Sequence, residues 1–149
     1  MSLANPIRQD VEHALREMGL GRRIRASVPV GSGCINNGLR IDTETGSSFF
    51  LKWNADAPVQ MFEVEAAGLT ALREARVRVS EPLAWGGSDG APSWLLLEYI
   101  TPGATRGDSD ERLGRGLAAL RDREAQETFG WYHDNWIGAL PQGNARSSA

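Results

Sequence analysis

The sequence predicts an α+β fold: a five-stranded antiparallel sheet with one packed helix, plus an N-terminal helix and a C-terminal helical segment. Three observations carry this. Five short apolar or alternating runs are separated by turn residues. Between the third and fourth runs lies a stripe with helical spacing. Helical spacing also returns at both ends of the chain.

Asn5 is placed to cap the first helix, with Pro6 at its first position, where a missing N–H costs nothing. Ile7, Val11, Leu15 and Met18 follow at helical spacing, and Gly19 and Gly21 end the helix. Ile24, Ala26, Val28 and Val30 alternate as in a strand. The glycine-rich turn Gly31-Ser32-Gly33-Cys34-Ile35-Asn36-Asn37-Gly38 comes next, and Leu39 and Ile41 mark a return strand. Thr43 to Ser47 is a hairpin turn signal and Phe49 to Trp53 the third strand.

Pro58 opens the second helix, with Phe62, Ala66, Leu69 and Leu72 on one stripe. Glu65 stands one turn before Leu69, beside that stripe, while Glu63 is rotated away. Val77 to Trp85, interrupted by Pro82, reads as a short or edge strand. Trp94 to Ile100 is the most apolar strand, as expected of one buried on both faces. Thr101-Pro102-Gly103 breaks it. Asp108 or Ser109 can cap a third helix with Leu113, Leu117 and Leu120 on one face. Phe129 to Ile137 is aromatic-rich, and Gly143 to Ala149 is polar and expected to fray.

Composition narrows the function classes. The chain has 149 residues, a net charge of −3 and one cysteine. That balance provides no basic field for nucleic acid. No run approaches the roughly 20 apolar residues of a membrane span, and the N-terminus has no signal-peptide pattern, so a cytoplasmic location is expected. A single cysteine excludes an internal disulfide framework and a multi-cysteine zinc site.

Of 16 basic residues, Lys52 is the only lysine. A lone lysine at a strand end more often snorkels to water than does chemistry. Here it follows a glycine-rich turn and precedes a helix bearing Glu65. Glycine loop, strand lysine and helix glutamate, in that order, form the phosphate-gripping half of a protein-kinase-like ATP site, so the fold is expected to be a protein-kinase-like small lobe. Lysine suits the task as a compact point charge, where arginine is a planar fork. A glycine hairpin lets backbone amides approach phosphate oxygens. This one reads Gly-x-Gly-x-x-x-x-Gly, unlike a Walker loop, and taken alone would be an ordinary turn. Glu98-Tyr99-Ile100, just before Pro102, sits where the hinge of that fold would be.

These segments together resemble the fructosamine kinase (ketosamine-3-kinase) family, within the protein-kinase-like and aminoglycoside phosphotransferase-like superfamily. The strings that carry the likeness are Gly33-Cys34-Ile35-Asn36-Asn37-Gly38, Phe49-Phe50-Leu51-Lys52, Met61-Phe62-Glu63-Val64-Glu65, Val77-Arg78-Val79-Ser80-Glu81-Pro82, Leu96-Leu97-Glu98-Tyr99 and Phe129 to Gly138 with Pro141-Gln142. The resemblance runs through essentially the whole chain. It implies ATP-dependent phosphorylation of the sugar O3′ of protein-bound ketosamines, a deglycation step, with ATP and Mg²⁺ as cofactors. A glycated protein or a fructosamine-type small molecule would be the acceptor.

By residue match, Gly31, Ser32, Gly33, Cys34, Ile35 and Asn36 would form the phosphate loop, Lys52 would hold phosphates and Glu65 would orient it. The main chain of Glu98, Tyr99 and Ile100 would read adenine. Residues 1–101 would be the ATP-binding lobe and 102–149 the start of the second lobe. Family members are about twice this length, and their second lobe supplies the base and the metal ligands. No catalytic residue or metal ligand is therefore expected in this chain, which is expected to be inactive alone. His133-Asp134-Asn135 resembles a catalytic loop only superficially, because it matches a different family segment; a structural or capping role is expected for Asp134 and Asn135.

Two further readings accompany this one. The chain could be a non-catalytic nucleotide-binding or protein-interaction module derived from a small-molecule kinase, with Leu117, Leu120, Trp131 and Trp136 covered by another chain. It could also act on choline or an aminoglycoside, which the Gly-Cys-Ile-Asn-Asn string argues against. Cys34, the only thiol, is a redox candidate that could pair two chains into a homodimer; a small residue packed under the loop explains it equally well.

Overall fold

The computed structural model describes residues 3–32, 35–87, 91–103, 107–123 and 128–148. Helix α1 spans Asn5–Glu17 and is followed by strands β1 (Ile24–Ser32), β2 (Asn37–Thr43) and β3 (Ser48–Asn54). Helix α2 (Val59–Glu74), β4 (Pro82–Gly86), β5 (Ser93–Glu98) and α3 (Ser109–Arg123) come next. Short strands β6 (Thr128–Phe129), β7 (Asn135–Ile137), β8 (Leu140–Gln142) and β9 (Ser147–Ser148) complete the chain.

The first five strands form one antiparallel sheet in the order β1-β2-β3-β5-β4, which is the kinase-like small-lobe architecture. Its two faces are built by the strict alternation of side chains along a strand. On one face, Ile7, Val11 and Leu15 of α1 pack against Leu39, Ile41, Phe49, Leu51, Trp94 and Leu96. On the other, Phe62 and Ala66 of α2 pack against Leu95 and Leu97, with Phe50 and Leu69 beside them. β5 thus sends successive residues into two different cores, which is why its sequence is continuously apolar. Each fully buried Leu or Phe contributes roughly 1.5–3 kcal/mol, so both helices are held mainly by these stripes.

Polar contacts fix how α1 lies. Arg8 Nη1 donates to the Ile24 carbonyl at 3.0 Å, and the Ile24 amide donates to Glu12 Oε1 at 2.9 Å. Below them, Glu44 accepts the amides of Arg22 and Arg23 at 2.7 and 2.8 Å, joining the turn after α1 to the β2–β3 turn.

Some local details differ from the sequence expectation. Ala4, not Asn5, is the N-cap of α1, and no side chain caps it; Asn5 is already helical, next to Pro6. Strand β4 begins only at Pro82 and lies at the sheet edge, where a residue without an N–H is tolerated. The residues before it are held by side chains instead: Arg73 Nη1 and Arg78 Nη1 donate to the Val79 carbonyl. The polar tail does not fray at 143–148. β9 pairs with β6, the Asn144 amide donates to Asp134 Oδ1 at 2.8 Å, and Asn144 Nδ2 donates to the His133 carbonyl. Among the described residues no helix is long and apolar enough to cross a membrane.

Candidate functional site

Lys52 lies in the middle of β3, opposite Gly38 on β2 and Leu95 on β5, so all three face the α2 side of the sheet. On α2, Phe62 and Ala66 are buried against that same face, and Glu65 lies between them at the rim. The docking of the helix therefore brings Glu65 onto Lys52. Nζ donates to Oε1 at 2.6 Å and to Oε2 at 2.7 Å, with the Phe62 ring centroid 5.9 Å away. Glu63 is exposed, as its position on the helix predicts.

The pair lies in an open cleft of about 580 Å³. Val30, Gly31, Gly38, Phe50 and Lys52 line it from the sheet, and Met61 and Glu65 from α2. Ile35, Asn36 and Asn37 line it from the loop tip, and Asn135, Trp136 and Gly138 from the β7–β8 hairpin. The glycines here are needed. Gly31 has φ +68, in the left-handed region that L side chains rarely adopt. At Gly38 a Cβ would lie 2.9 Å from the Val30 carbonyl oxygen and 3.0 Å from Phe50 Cζ. The loop is also tied to the lysine strand: Asn54 Nδ2 donates to the Ile35 carbonyl and to Asn36 Oδ1, both at 3.0 Å.

The structure thus assembles Gly31, Ile35, Asn36, Lys52 and Glu65 around one cleft. Ser32 closes β1, paired with Asn37. Gly33 and Cys34 lie outside the described residues, and no described contact supports a homodimer through Cys34. Glu98, Tyr99 and Ile100 do not line this cleft. Glu98 ends β5 three residues from Leu95, roughly 10 Å along the strand, a length an extended nucleotide can span. Its amide donates to the Glu81 carbonyl at 2.8 Å. Its carboxylate accepts both Arg78 nitrogens at 2.7 and 2.8 Å, which holds it below the usual carboxylate range. Tyr99 packs under the Arg40 guanidinium, 5.8 Å from the ring centroid. Asp42 is also held low, first by the Ser48 hydroxyl at 2.7 Å and then by Arg40 at 3.0 Å.

Val30, Asn37, Gly38, Phe50 and Met61 line the cleft from segments already singled out, but Asn54, Asn135, Trp136 and Gly138 escaped the sequence reading. Asn54 carried a signal, since it stands two residues after Lys52 on the same strand face. Asn135, Trp136 and Gly138 carried none, because their contact with the loop spans about a hundred residues of sequence. Trp136 is half-buried in the cleft wall and so is not the exposed docking residue expected. Trp131 and Leu120 are also half-buried, while Leu117 is exposed. Asp134 has the structural role expected of it, but Asn135 faces the cleft, and its buried Oδ1 has no hydrogen-bond partner among the described residues. Among those residues no three His, Cys, Asp or Glu side chains come together as a metal site.

The chain is similar to known proteins. A family model described as fructosamine kinase matches residues 7–149. The chain is 41% identical over 124 residues to a "Probable ketoamine kinase" of Synechocystis sp., covering 82% of this chain and 41% of that protein. It is 41% identical over 121 residues to a chloroplastic protein-ribulosamine 3-kinase of Arabidopsis thaliana, covering 80% of this chain and 36% of the relative. A Thermobifida fusca crystal structure provisionally named fructosamine-3-kinase superposes with a TM-score of 0.69 at 27% identity, over 91% of this chain and 46% of the other. One from Haemophilus somnus, provisionally named in the same way, superposes at 0.81 with 24% identity, over 92% and 46%, a likeness of fold. The chain spans less than half the length of each of these relatives.

Proposed function

Because the chain belongs to the fructosamine kinase family, we propose that it is the ATP-binding lobe of a kinase that phosphorylates the sugar hydroxyl of protein-bound ketosamines, the first step of deglycation. One observation carries the reading: a lysine on the central strand, clasped by a helix carboxylate, at the floor of a cleft roofed by a glycine-rich loop. Residues 1–101 form the nucleotide lobe in this reading, and residues 102–149 begin the second. The relatives named as ketoamine and ribulosamine kinases support a ketosamine as acceptor.

The work of the chain's own residues follows from their chemistry. The loop amides around Gly31 meet phosphate oxygens, and Lys52 adds a positive charge that Glu65 keeps aimed into the cleft. Main-chain groups of Glu98, Tyr99 and Ile100, at the end of β5 and beyond it, meet the adenine edge. Mg²⁺ bound to ATP would supply charge neutralisation; among the described residues no three His, Cys, Asp or Glu side chains gather to hold it. Among the described residues that line the cleft, Glu65 is the one carboxylate, and Lys52 engages both of its oxygens, so none of them is free to take the proton of an acceptor hydroxyl. The chain alone accordingly binds ATP without completing transfer. A cytoplasmic setting fits an ATP-dependent reaction and a chain with one cysteine.

Calorimetric titration of MgATP into the purified chain, with Lys52→Ala as control, tests the first claim: binding that Lys52→Ala abolishes is expected. No binding by a folded chain removes the nucleotide reading. Phosphate transfer to fructoselysine by the 149-residue chain would overturn the second claim. A non-catalytic interaction module is the alternative that the exposed Leu113 and Leu117 of α3 favour; it predicts a folded chain with no affinity for MgATP.

A further inference from the structure

The tip of the glycine-rich loop is held from two sides by residues that the nucleotide reading does not use. From the sheet, Asn54 donates both to the Ile35 carbonyl and to the Asn36 side chain, while its own Oδ1 accepts the Asp56 amide at 2.9 Å. Every polar atom of that amide group is used, so its orientation is fixed. From the opposite side comes the β7–β8 turn. Gly138 has φ +66, and a Cβ built there would lie 2.5 Å from Ile35 Cδ1. The turn therefore touches the end of the Ile35 side chain, and a side chain at position 138 would make Cδ1 move. Ile35 is 41% exposed and belongs to neither core, so these contacts, not core packing, decide where it lies.

We propose that Asn54 and Gly138 are positioning residues that hold the loop tip, through Ile35, at the height above Lys52 that phosphates require. The inference rests on the nucleotide reading above. Its physical basis is that charge-gripping amides work only when held to within about 0.5 Å of the productive geometry. A tip released or pushed outward loses the phosphates, whereas the base end of the cleft, roughly 10 Å along the sheet, does not feel it. The signature is a change in the ratio of ATP to adenosine affinity, which general loosening of the fold would not produce.

The test is calorimetric titration of ATP and of adenosine into the full chain and three variants. Gly138→Asn adds bulk at a residue type that tolerates the left-handed conformation. It should weaken ATP binding about tenfold and leave adenosine within about twofold. Ile35→Ala in the Gly138→Asn background makes room and should recover part of the ATP affinity. Asn54→Ala, away from the hairpin, should cost about fivefold for ATP only, the worth of a typical hydrogen bond, and it decides alone if Gly138→Asn does not fold. An unchanged ATP-to-adenosine ratio in both Gly138→Asn and Asn54→Ala overturns the inference, as does a double variant no tighter than Gly138→Asn. If the wild-type chain binds neither ligand, the nucleotide reading fails and takes this inference with it; if wild type binds and the variants match it, only this inference fails.

Discussion

Lys52 Nζ is within hydrogen-bonding distance of both Glu65 oxygens, at 2.6 and 2.7 Å, with the two side chains 23% and 31% exposed. A pair this close to solvent contributes only about 0–1 kcal/mol to folding. Its value lies in direction: without the carboxylate, a four-carbon stem has many other rotamers. Glu65→Gln should therefore shift the urea midpoint little while weakening MgATP binding about tenfold. Equal affinity in wild type and variant, by calorimetry, would show that Lys52 finds its place unaided.

Two glycines should respond to alanine with opposite signs. At Gly86 a Cβ would lie 2.8 Å from Trp94 Cζ2, and that buried indole cannot swing away as a flexible chain end would. Gly86→Ala should cost about 1–3 kcal/mol by overpacking. Gly68, inside α2, has nothing within 4 Å of such a Cβ. Gly68→Ala should stabilise by about 1 kcal/mol through helix propensity. Chemical denaturation of both reads the contrast, and a destabilised Gly68→Ala would mean that α2 packs more closely there than described.

The end of α2 predicts a stabilising change. Arg76 has φ 64, and the Val77 amide returns to the Leu72 carbonyl at 2.9 Å, a left-handed helix end that ordinarily calls for glycine. Arg76→Gly should relieve about 1 kcal/mol of backbone strain, seen as a higher melting temperature. A lower one would show that the Arg76 side chain contributes more than its backbone costs.

Acid should weaken the fold through Glu98 and Asp42. Both are held below the usual carboxylate range in the folded chain, Glu98 first by Arg78 and Asp42 first by the Ser48 hydroxyl. A carboxylate whose folded pKa is depressed adds stability above its unfolded pKa and loses it as pH falls through the folded value. Stability should hold from neutral pH down to about 5 and decline below about 4.5. Glu98→Gln should be less stable at neutral pH by under about 1 kcal/mol, given its exposure, and lose less on acidification. Parallel pH curves for wild type and Glu98→Gln would exclude Glu98 from the effect.

What the sequence reveals about this fold depends on the range of the interaction. The apolar run of Phe49 to Trp53 announces a strand, and the unbroken apolar run of Trp94 to Leu97 one buried on both faces, and both are found so. Glu65 is legible for the same reason, since helical spacing places it beside Phe62 and Ala66. Asn54 was legible by period but its polar partners were not, because they lie on a loop whose path no pattern specifies. The β7–β8 hairpin at the cleft, and the tail fastened by Asn144 to Asp134, depend on contacts that close late in the chain. Glu98 was expected to act through its main chain at a hinge; the ion pairs of its side chain with Arg73 of α2 and with Arg78 beyond α2 depend on distant contacts that no local pattern announces.

The strand order has a consequence in time. β3 has a bonded neighbour on each side, whereas β1 and β4 have one each. Amides of Phe49 to Trp53 should therefore be among the last to exchange with solvent, and those along the outer side of β1 among the first. Lys52 would then sit in a slow-opening part of the sheet, while the loop that works with it is attached at one end to a border strand, β1. On warming, the cleft should lose its roof well before it loses its charge.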